Sequence, residues 1–297
     1  MIYNGTIISS LGGSYKVASD GEIYLCKPRG VFRNKQITPV CGDMVTIEFE
    51  PTGEGVIVDV CERKNEIIRP PLANLDQLVF ITSTCEPAPN LLLLDKFLAV
   101  ALFKGITPII VFTKTDKAPA DEYVRIYSDL FTTFCVDNST GEGSEQVRAL
   151  LTDKFSAFTG NSGAGKSTLL NNICPDLNLA TNEISRKLGR GKHTTRRVDI
   201  YPLPDGGYVA ATPGFSTFNT SMYDVIMKDE LADCFPEFEE HLGKCRYQDC
   251  SHTKEQGCAV LEALRNGKIQ KTRHNSYCEM YAEASLIKPW EVKNLKR

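Results

Sequence analysis

The sequence predicts a three-module protein: a small β-barrel, a central α/β domain built around a glycine-rich loop, and a helical, cysteine-bearing C-terminal domain. Three observations carry this reading. The first stretch holds short β-rich segments separated by glycine and polar turns. The middle alternates continuous apolar runs with amphipathic stretches around Gly160-Asn161-Ser162-Gly163-Ala164-Gly165-Lys166-Ser167, and the last part carries three cysteines and a histidine close together. At 297 residues the chain is about twice the length of a typical domain, so several cores are expected.

Residues 1–68 form the barrel module, with β-rich segments at Gly5 to Val17, Glu22 to Cys26, Met44 to Phe49 and Gly55 to Val60. This spacing suits a small barrel. Lys27, Arg29, Arg33 and Lys35, with no acid between them, then fall in a loop between strands and are candidates for a local RNA contact. Residues 69–219 form the α/β module. Strands are expected at Leu78 to Ile81, Ile109 to Phe112 and, more weakly, Phe155 to Thr159. Helical patterns cover Leu91 to Phe103, Glu122 to Phe131 and Ser144 to Leu151. Residues 220–297 read as helical and end on the basic tail Lys293, Lys296 and Arg297.

Composition narrows the class. Hydrophobic residues at 42% and charged residues at 24% are ordinary for a globular chain, and no apolar run approaches the roughly 18 residues of a membrane-spanning helix. No membrane association is expected, and the Met1 to Thr6 start lacks the basic residues and apolar core of a secretion signal, which points to the cytoplasm. A net charge of −3 rules out whole-surface nucleic-acid binding, so any RNA contact must be local. A second basic run comprises Arg186, Lys187, Arg190, Lys192, Arg196 and Arg197. Of eleven cysteines, eight are scattered singly and read as buried or partly buried thiols in a reducing compartment.

Gly160 to Ser167 fits G-x-x-x-x-G-K-[ST], between a strand and the helix-like segment from Thr168 to Ile173. In such a loop glycines turn backbone N–H groups toward phosphate oxygens, Lys166 reaches the β- and γ-phosphates, the Ser167 hydroxyl ligates Mg²⁺, and the helix N-terminus adds its dipole. Thr113-Lys114-Thr115-Asp116, after a strand, is similar to the guanine-reading N-K-x-D motif. Asp116 would accept both N–H groups of the guanine Watson–Crick edge, and adenine offers no such pair. Lys114 would pack along the phosphate loop. Thr113 stands where asparagine is usual, with a loss of loop ordering and base contact expected.

Two further elements follow the phosphate loop. Gly191 to Arg196 occupies the place of a first switch, with Thr195 as a Mg²⁺ and γ-phosphate ligand and His193 as the candidate for positioning water. Ala211-Thr212-Pro213-Gly214-Phe215 occupies the second-switch position, with the Gly214 N–H directed at the γ-phosphate. The base-reading motif precedes the phosphate loop, the reverse of ordinary small GTPases, so the order is circularly permuted. At the C-terminal end, Cys245-x4-Cys250-x-His252-x5-Cys258 supplies a complete tetrahedral ligand set for one structural zinc.

With these residues assembled, the chain resembles the ribosome small subunit-dependent GTPase A family, the circularly permuted GTPases that act late in bacterial small-subunit assembly. Gly12 to Tyr15, Pro39 to Asp43, Arg63 to Asn65 and Arg69 to Gln77 are similar to that family's N-terminal signatures. The resemblance implies an OB-type barrel, a permuted GTPase domain binding GTP or GDP with Mg²⁺, and a zinc-bearing helical domain. As partners it implies the small ribosomal subunit and its ribosomal RNA; a monomer is expected. Three departures stand out: Ala211 for the second-switch aspartate that steadies Mg²⁺, Thr113 for asparagine, and Asp137 to Gly141 lacking the usual Ser-Ala pair behind guanine. GTP hydrolysis is therefore expected to be weak. Phe215, where many GTPases carry a water-orienting glutamine, strengthens that expectation. The rival reading is an RNA- or ribosome-binding module with a non-catalytic nucleotide site.

Overall fold

Inward apolar side chains of the first five strands close on one another, while Ile2, Leu11, Ile23, Leu25 and Met44 are apolar positions that stay exposed on the outside. β1 (Ile2–Leu11), β2 (Ser14–Ser19), β3 (Glu22–Pro28), β4 (Met44–Phe49) and β5 (Gly55–Val60) pair in the order β1-β2-β3-β5-β4. β4 returns to β1, so the sheet is a closed barrel. Ile7, Val17, Cys26, Val45, Ile47 and Ile57 fill it. Tyr3, Tyr24 and Phe49 plug one end with ring centroids 5.1–5.8 Å apart. The expected Gly5 to Val17 segment is two strands, because Gly12 and Gly13 both adopt positive φ and turn the chain into a hairpin. The computed structural model describes residues 2–30, 32, 37–49, 54–68, 70–177, 199–211 and 225–288.

A short pair, β6 (Glu66–Ile67) with β7 (Leu72–Ala73), leads out of the barrel. Around it Arg63 donates to both oxygens of buried Asp43 at 2.7 and 2.9 Å. The Asn65 side chain pairs with the N–H and the carbonyl of Leu75. Polar groups buried at this junction are thus satisfied, which fixes the exit direction of the chain.

The second sheet comprises β8 (Gln77–Ser83), β9 (Thr107–Thr113), β10 (Thr132–Val136), β11 (Phe155–Gly160), β12 (Asp199–Pro202) and β13 (Tyr208–Ala211). Its order is β10-β9-β8-β11-β13-β12, all parallel except β12, which runs antiparallel to β13. Ser9 of β1 pairs with Asp199 of β12, so barrel and sheet share one hydrogen-bonded surface. β11 is buried along its whole length, the mark of a central parallel strand rather than a weak one.

Helices α1 (Leu91–Phe103), α2 (Asp121–Tyr127), α3 (Ser144–Leu151) and α4 (Lys166–Ile173) cover both faces. On one, Leu94, Phe97, Leu98 and Tyr127 pack on Phe80, Ile110 and Phe112. On the other, Val147, Leu151, Leu169, Leu170 and Ile173 pack on Val79, Ile81, Ile109 and Val111. Successive strand residues therefore serve opposite cores. α2 ends at Tyr127, short of the expected Phe131.

The C-terminal part holds two short 3₁₀ turns, Ala232–Cys234 and Pro236–His241, then α5 (Ala259–Arg265) and α6 (Lys271–Ser285). Phe235, Phe238, Tyr277 and Met280 form a core that reaches Ala99 and Val100 of α1. Arg273 of α6 crosses the same boundary: it is 1% exposed, bonds Asp95 of α1 at 2.7 Å and Glu237 at 2.8 Å, and lies over the rings of Phe235, Phe131 and Tyr127. Among the scattered cysteines, Cys61 and Cys135 are exposed, contrary to the expectation of burial; Cys26, Cys41, Cys174 and Cys234 are buried. Cys61 follows the last barrel strand and Cys135 lies on β10, the edge strand of its sheet, which explains their access to solvent.

Candidate nucleotide site and metal centre

β11 lies between β8 and β13 and delivers its loop to the C-terminal ends of the parallel strands, where open α/β sheets bind ligands. Gly160 has φ 138°, and a Cβ there would sit 1.9 Å from the Ile81 carbonyl oxygen, so only glycine lets the chain leave the sheet at this point. Ala164 is buried, whereas Ser162 and Gly163 face solvent and Asn161 is half-buried. Gly165 precedes α4, whose Leu169, Leu170 and Ile173 anchor it to the sheet. Ser167 and Thr168 occupy its first turn, half-buried. Lys166 Nζ donates to the carbonyls of Gly160 and Asn161 at 2.6 and 2.8 Å, and burial lowers its pKa to about 8. The loop therefore concentrates a lysine, glycine-rich backbone and a helix N-terminus, a set suited to a polyphosphate.

Thr113 ends β9, fully buried, and its hydroxyl donates to the Ala164 carbonyl at 2.6 Å. The threonine hydroxyl thus ties the base-side segment to the phosphate loop. Lys114 has φ 61° and its Nζ donates to the Glu86 carbonyl, on the loop after β8 rather than along the phosphate loop. Thr115 is half-buried and Asp116 exposed, so any penalty against adenine arises only once a base covers that carboxylate.

After β10, Asp137 Oδ1 accepts from the Ser139 N–H and hydroxyl at 2.7 and 2.6 Å, and Oδ2 from the Thr140 hydroxyl at 2.9 Å. The Ser139 side chain leads the bonds that hold this carboxyl below its ordinary range. Asn138, missed by the sequence reading, donates its amide to the Gly165 carbonyl at 3.1 Å. Its signal in the sequence is only that the Ser-Ala pair is absent there. Residues 113–116, 137–141 and 160–168 thus meet beside the ends of β9, β10 and β11. His193, Thr195, Gly214 and Phe215, with the basic run from Arg186 to Arg197, lie outside the described residues. Ala211 ends β13, in register with Phe158 of β11 and Asp199 of β12. Lys27 belongs to β3 itself rather than to a loop, because its backbone pairs with Val56.

In the C-terminal part the ligand atoms of Cys245, Cys250, His252 and Cys258 lie within 4.8 Å of one another. His252 Nδ1 is 3.5 Å from both Cys245 Sγ and Cys258 Sγ, and those sulfurs are 3.8 Å apart. Zinc bonds of about 2.3 Å to sulfur and about 2.0–2.1 Å to nitrogen, set tetrahedrally, give edges of roughly 3.5–3.8 Å. The donor set fits. The Ala259 N–H reaches Cys245 Sγ at 3.4 Å and the Leu261 N–H reaches Cys258 Sγ at 3.5 Å, contacts that stabilise thiolates. His274 Nε2 donates to the His252 carbonyl at 2.9 Å and Tyr277 to the Ser251 carbonyl at 2.9 Å, so α6 supports the ligand loop. Four protein ligands would leave no position for water on a bound zinc, the donor set of a structural rather than a catalytic site.

A closed five-stranded barrel, a permuted P-loop domain and a Cys₃His module together define a circularly permuted GTPase. Family models agree: the RsgA N-terminal domain matches residues 4–57 and RsgA GTPase matches residues 60–221. The chain belongs to the RsgA GTPase family. It is 41% identical over 292 residues to the small ribosomal subunit biogenesis GTPase RsgA 2 of Oceanobacillus iheyensis, covering 96% of this chain and 98% of that protein. The small ribosomal subunit biogenesis GTPase RsgA of Streptococcus pneumoniae is 43% identical over 283 residues, 94% of each chain. Among solved structures, YjeQ from Thermotoga maritima superposes with a TM-score of 0.83 at 32% identity, covering 97% of this chain and 100% of that one. YloQ, a circularly permuted GTPase, gives 0.78 at 33% identity and covers 97% of each chain.

Proposed function

We propose that this chain is a GTP hydrolase that acts in biogenesis of the small ribosomal subunit, with hydrolysis stimulated by the subunit itself. The observation that carries the reading is the meeting of Thr113 and Asn138 with the carbonyls of Ala164 and Gly165, which joins the base-side loops to the phosphate loop in one pocket wall. Lys114 to Asp116 hold guanine from one side. Backbone N–H groups of residues 160–168 and the Lys166 ammonium hold the phosphates, and charge developing on the transferring phosphoryl group is met by Lys166 and the N-terminus of α4. Ser167 and Thr195 would hold Mg²⁺, which when bound would supply further charge neutralisation. His193 positions the attacking water and the Gly214 N–H reads the γ-phosphate.

Modules 1–68, 69–219 and 220–297 divide the work into RNA binding, GTP hydrolysis and a zinc-stabilised helical part, in a cytoplasmic monomer. Lys27 and Arg29 are exposed but already paired with Glu54 and Glu48 at 3.2 and 3.3 Å, so ribosomal RNA must displace those pairs. Among the described residues no helix is long and apolar enough to cross a membrane. A second reading, a ribosome-binding module with a non-catalytic site, is favoured by Ala211 and Thr113. GTP hydrolysis measured with and without purified small subunits, with ATP in parallel, separates the two. Hydrolysis that stays absent with subunits present would leave only the second reading.

A further inference from the structure

Two side chains from different loops flank one glycine. A Cβ on Gly165 would lie 2.5 Å from Asn138 Nδ2 and 3.6 Å from Thr113 Oγ1, so the amide and the hydroxyl meet at the same point of the phosphate loop. Each holds a successive carbonyl: Thr113 that of Ala164 at 2.6 Å, Asn138 that of Gly165 at 3.1 Å. α4 answers in return, since Asn172 Nδ2 donates to the Asn138 carbonyl at 3.1 Å. The loop after β10 is therefore tied to both the start and the body of the phosphate-binding helix. Among the described residues Asn138 Oδ1 is buried without a hydrogen-bond partner. An acceptor buried in that way costs stability, so a residue serving packing alone would be better placed there as an apolar one.

We propose that Asn138 is a positioning residue for guanine nucleotide: it supplies from the loop after β10 the amide brace that the base-reading motif lacks because position 113 is threonine. The small Thr113 leaves room for the Asn138 amide, and the amide fills what a larger side chain at 113 would occupy. The two positions act as one unit, and this rests on the reading of residues 113–116 and 160–168 as a guanine-nucleotide pocket. Fixing the distance between base loop and phosphate loop in advance lowers the ordering cost of binding, so the brace governs affinity rather than the chemical step.

The test is a double-mutant cycle on the full-length protein, reading the Kd for fluorescent GDP, kcat against KM for subunit-stimulated hydrolysis, and the melting temperature without nucleotide. Asn138→Ala is expected to weaken GDP binding by about tenfold, the worth of one hydrogen bond with its positioning, while kcat at saturating GTP and the melting temperature hold close to the parent. Thr113→Asn alone crowds Asn138 and weakens binding too. Thr113→Asn with Asn138→Ala is expected to return to within about threefold of the parent, a coupling that neighbouring residues show and distant ones do not. The double variant also refills the space, which guards against a single variant that does not fold. Tight GDP binding by Asn138→Ala, tighter binding by Thr113→Asn, or losses that simply multiply in the double variant would each overturn the proposal while leaving the pocket intact. A parent protein that binds no guanine nucleotide would instead remove the pocket reading, and this proposal with it.

Discussion

Arg273 Nη1 lies 2.7 Å from Asp95 Oδ1, joining α6 to α1 with both side chains essentially out of solvent. Glu237 takes the other edge of the guanidinium at 2.8 and 3.0 Å, and the Tyr127 hydroxyl donates to the same Asp95 oxygen at 2.9 Å. This network, with Lys96–Glu283 at 2.7 Å nearby, holds the Cys₃His module on the P-loop domain. Removing one partner of a buried network strands the others. Arg273→Ala is therefore expected to lose about 3–5 kcal/mol of stability in denaturant unfolding. A loss below about 1 kcal/mol would mean that water replaces the guanidinium and that the contact is ornamental.

The purified protein should carry close to one zinc per chain, because Cys245, Cys250, Cys258 and His252 form a full donor set. Elemental analysis decides it. Cys250→Ser should lower zinc content and the melting temperature, with GDP affinity unchanged, since the centre lies in a different core from the phosphate loop. Zinc-free protein prepared without chelators would refute the assignment.

Asp116 is exposed just beyond the end of β9. Binding should favour GTP and GDP over ATP. Asp116→Asn should reduce guanine affinity by tenfold or more, on the order of the loss of a charged hydrogen-bond pair, and admit xanthine nucleotides. Equal affinity of the parent for ATP and GTP would eliminate the base assignment.

Ala211→Asp is expected to raise subunit-stimulated hydrolysis and lower the Mg²⁺ concentration it requires, because a carboxylate at the end of β13 restores an anchor for the ion's water shell. Lys166→Ala should abolish turnover in either background. An unchanged rate and Mg²⁺ dependence in Ala211→Asp would show that another group already does this.

Burial sets the Lys166 pKa at about 8 against an ordinary 10.5. Between those values the unfolded chain binds more protons at this site than the folded one, so the nucleotide-free protein should gain stability as pH rises from 8 to 10.5. Nucleotide affinity should move the opposite way, falling above pH 8 as the ammonium that meets the phosphates is lost. Titrating melting temperature and GDP affinity over the same range checks both signs. Parallel trends would mean that Lys166 does not control either.

What the sequence determined by itself is local. Gly160 to Ser167, Thr113 to Asp116 and the spacing from Cys245 to Cys258 are short stretches whose residue types and intervals state their chemistry, and their order along the chain reveals the permutation. The continuous apolar runs of β8 and β9 likewise announce parallel strands buried on both faces. Tertiary structure alone decided which strands neighbour β11, that β4 returns to close the barrel on β1, that Asn138 braces Gly165 across 27 positions, and that Arg273 meets Asp95 across 178. Such partners leave no periodic trace in sequence. They become neighbours only when packing of the whole sheet and its helices brings distant segments together, and loop closure over such separations is stabilised by the sum of contacts rather than by any one of them.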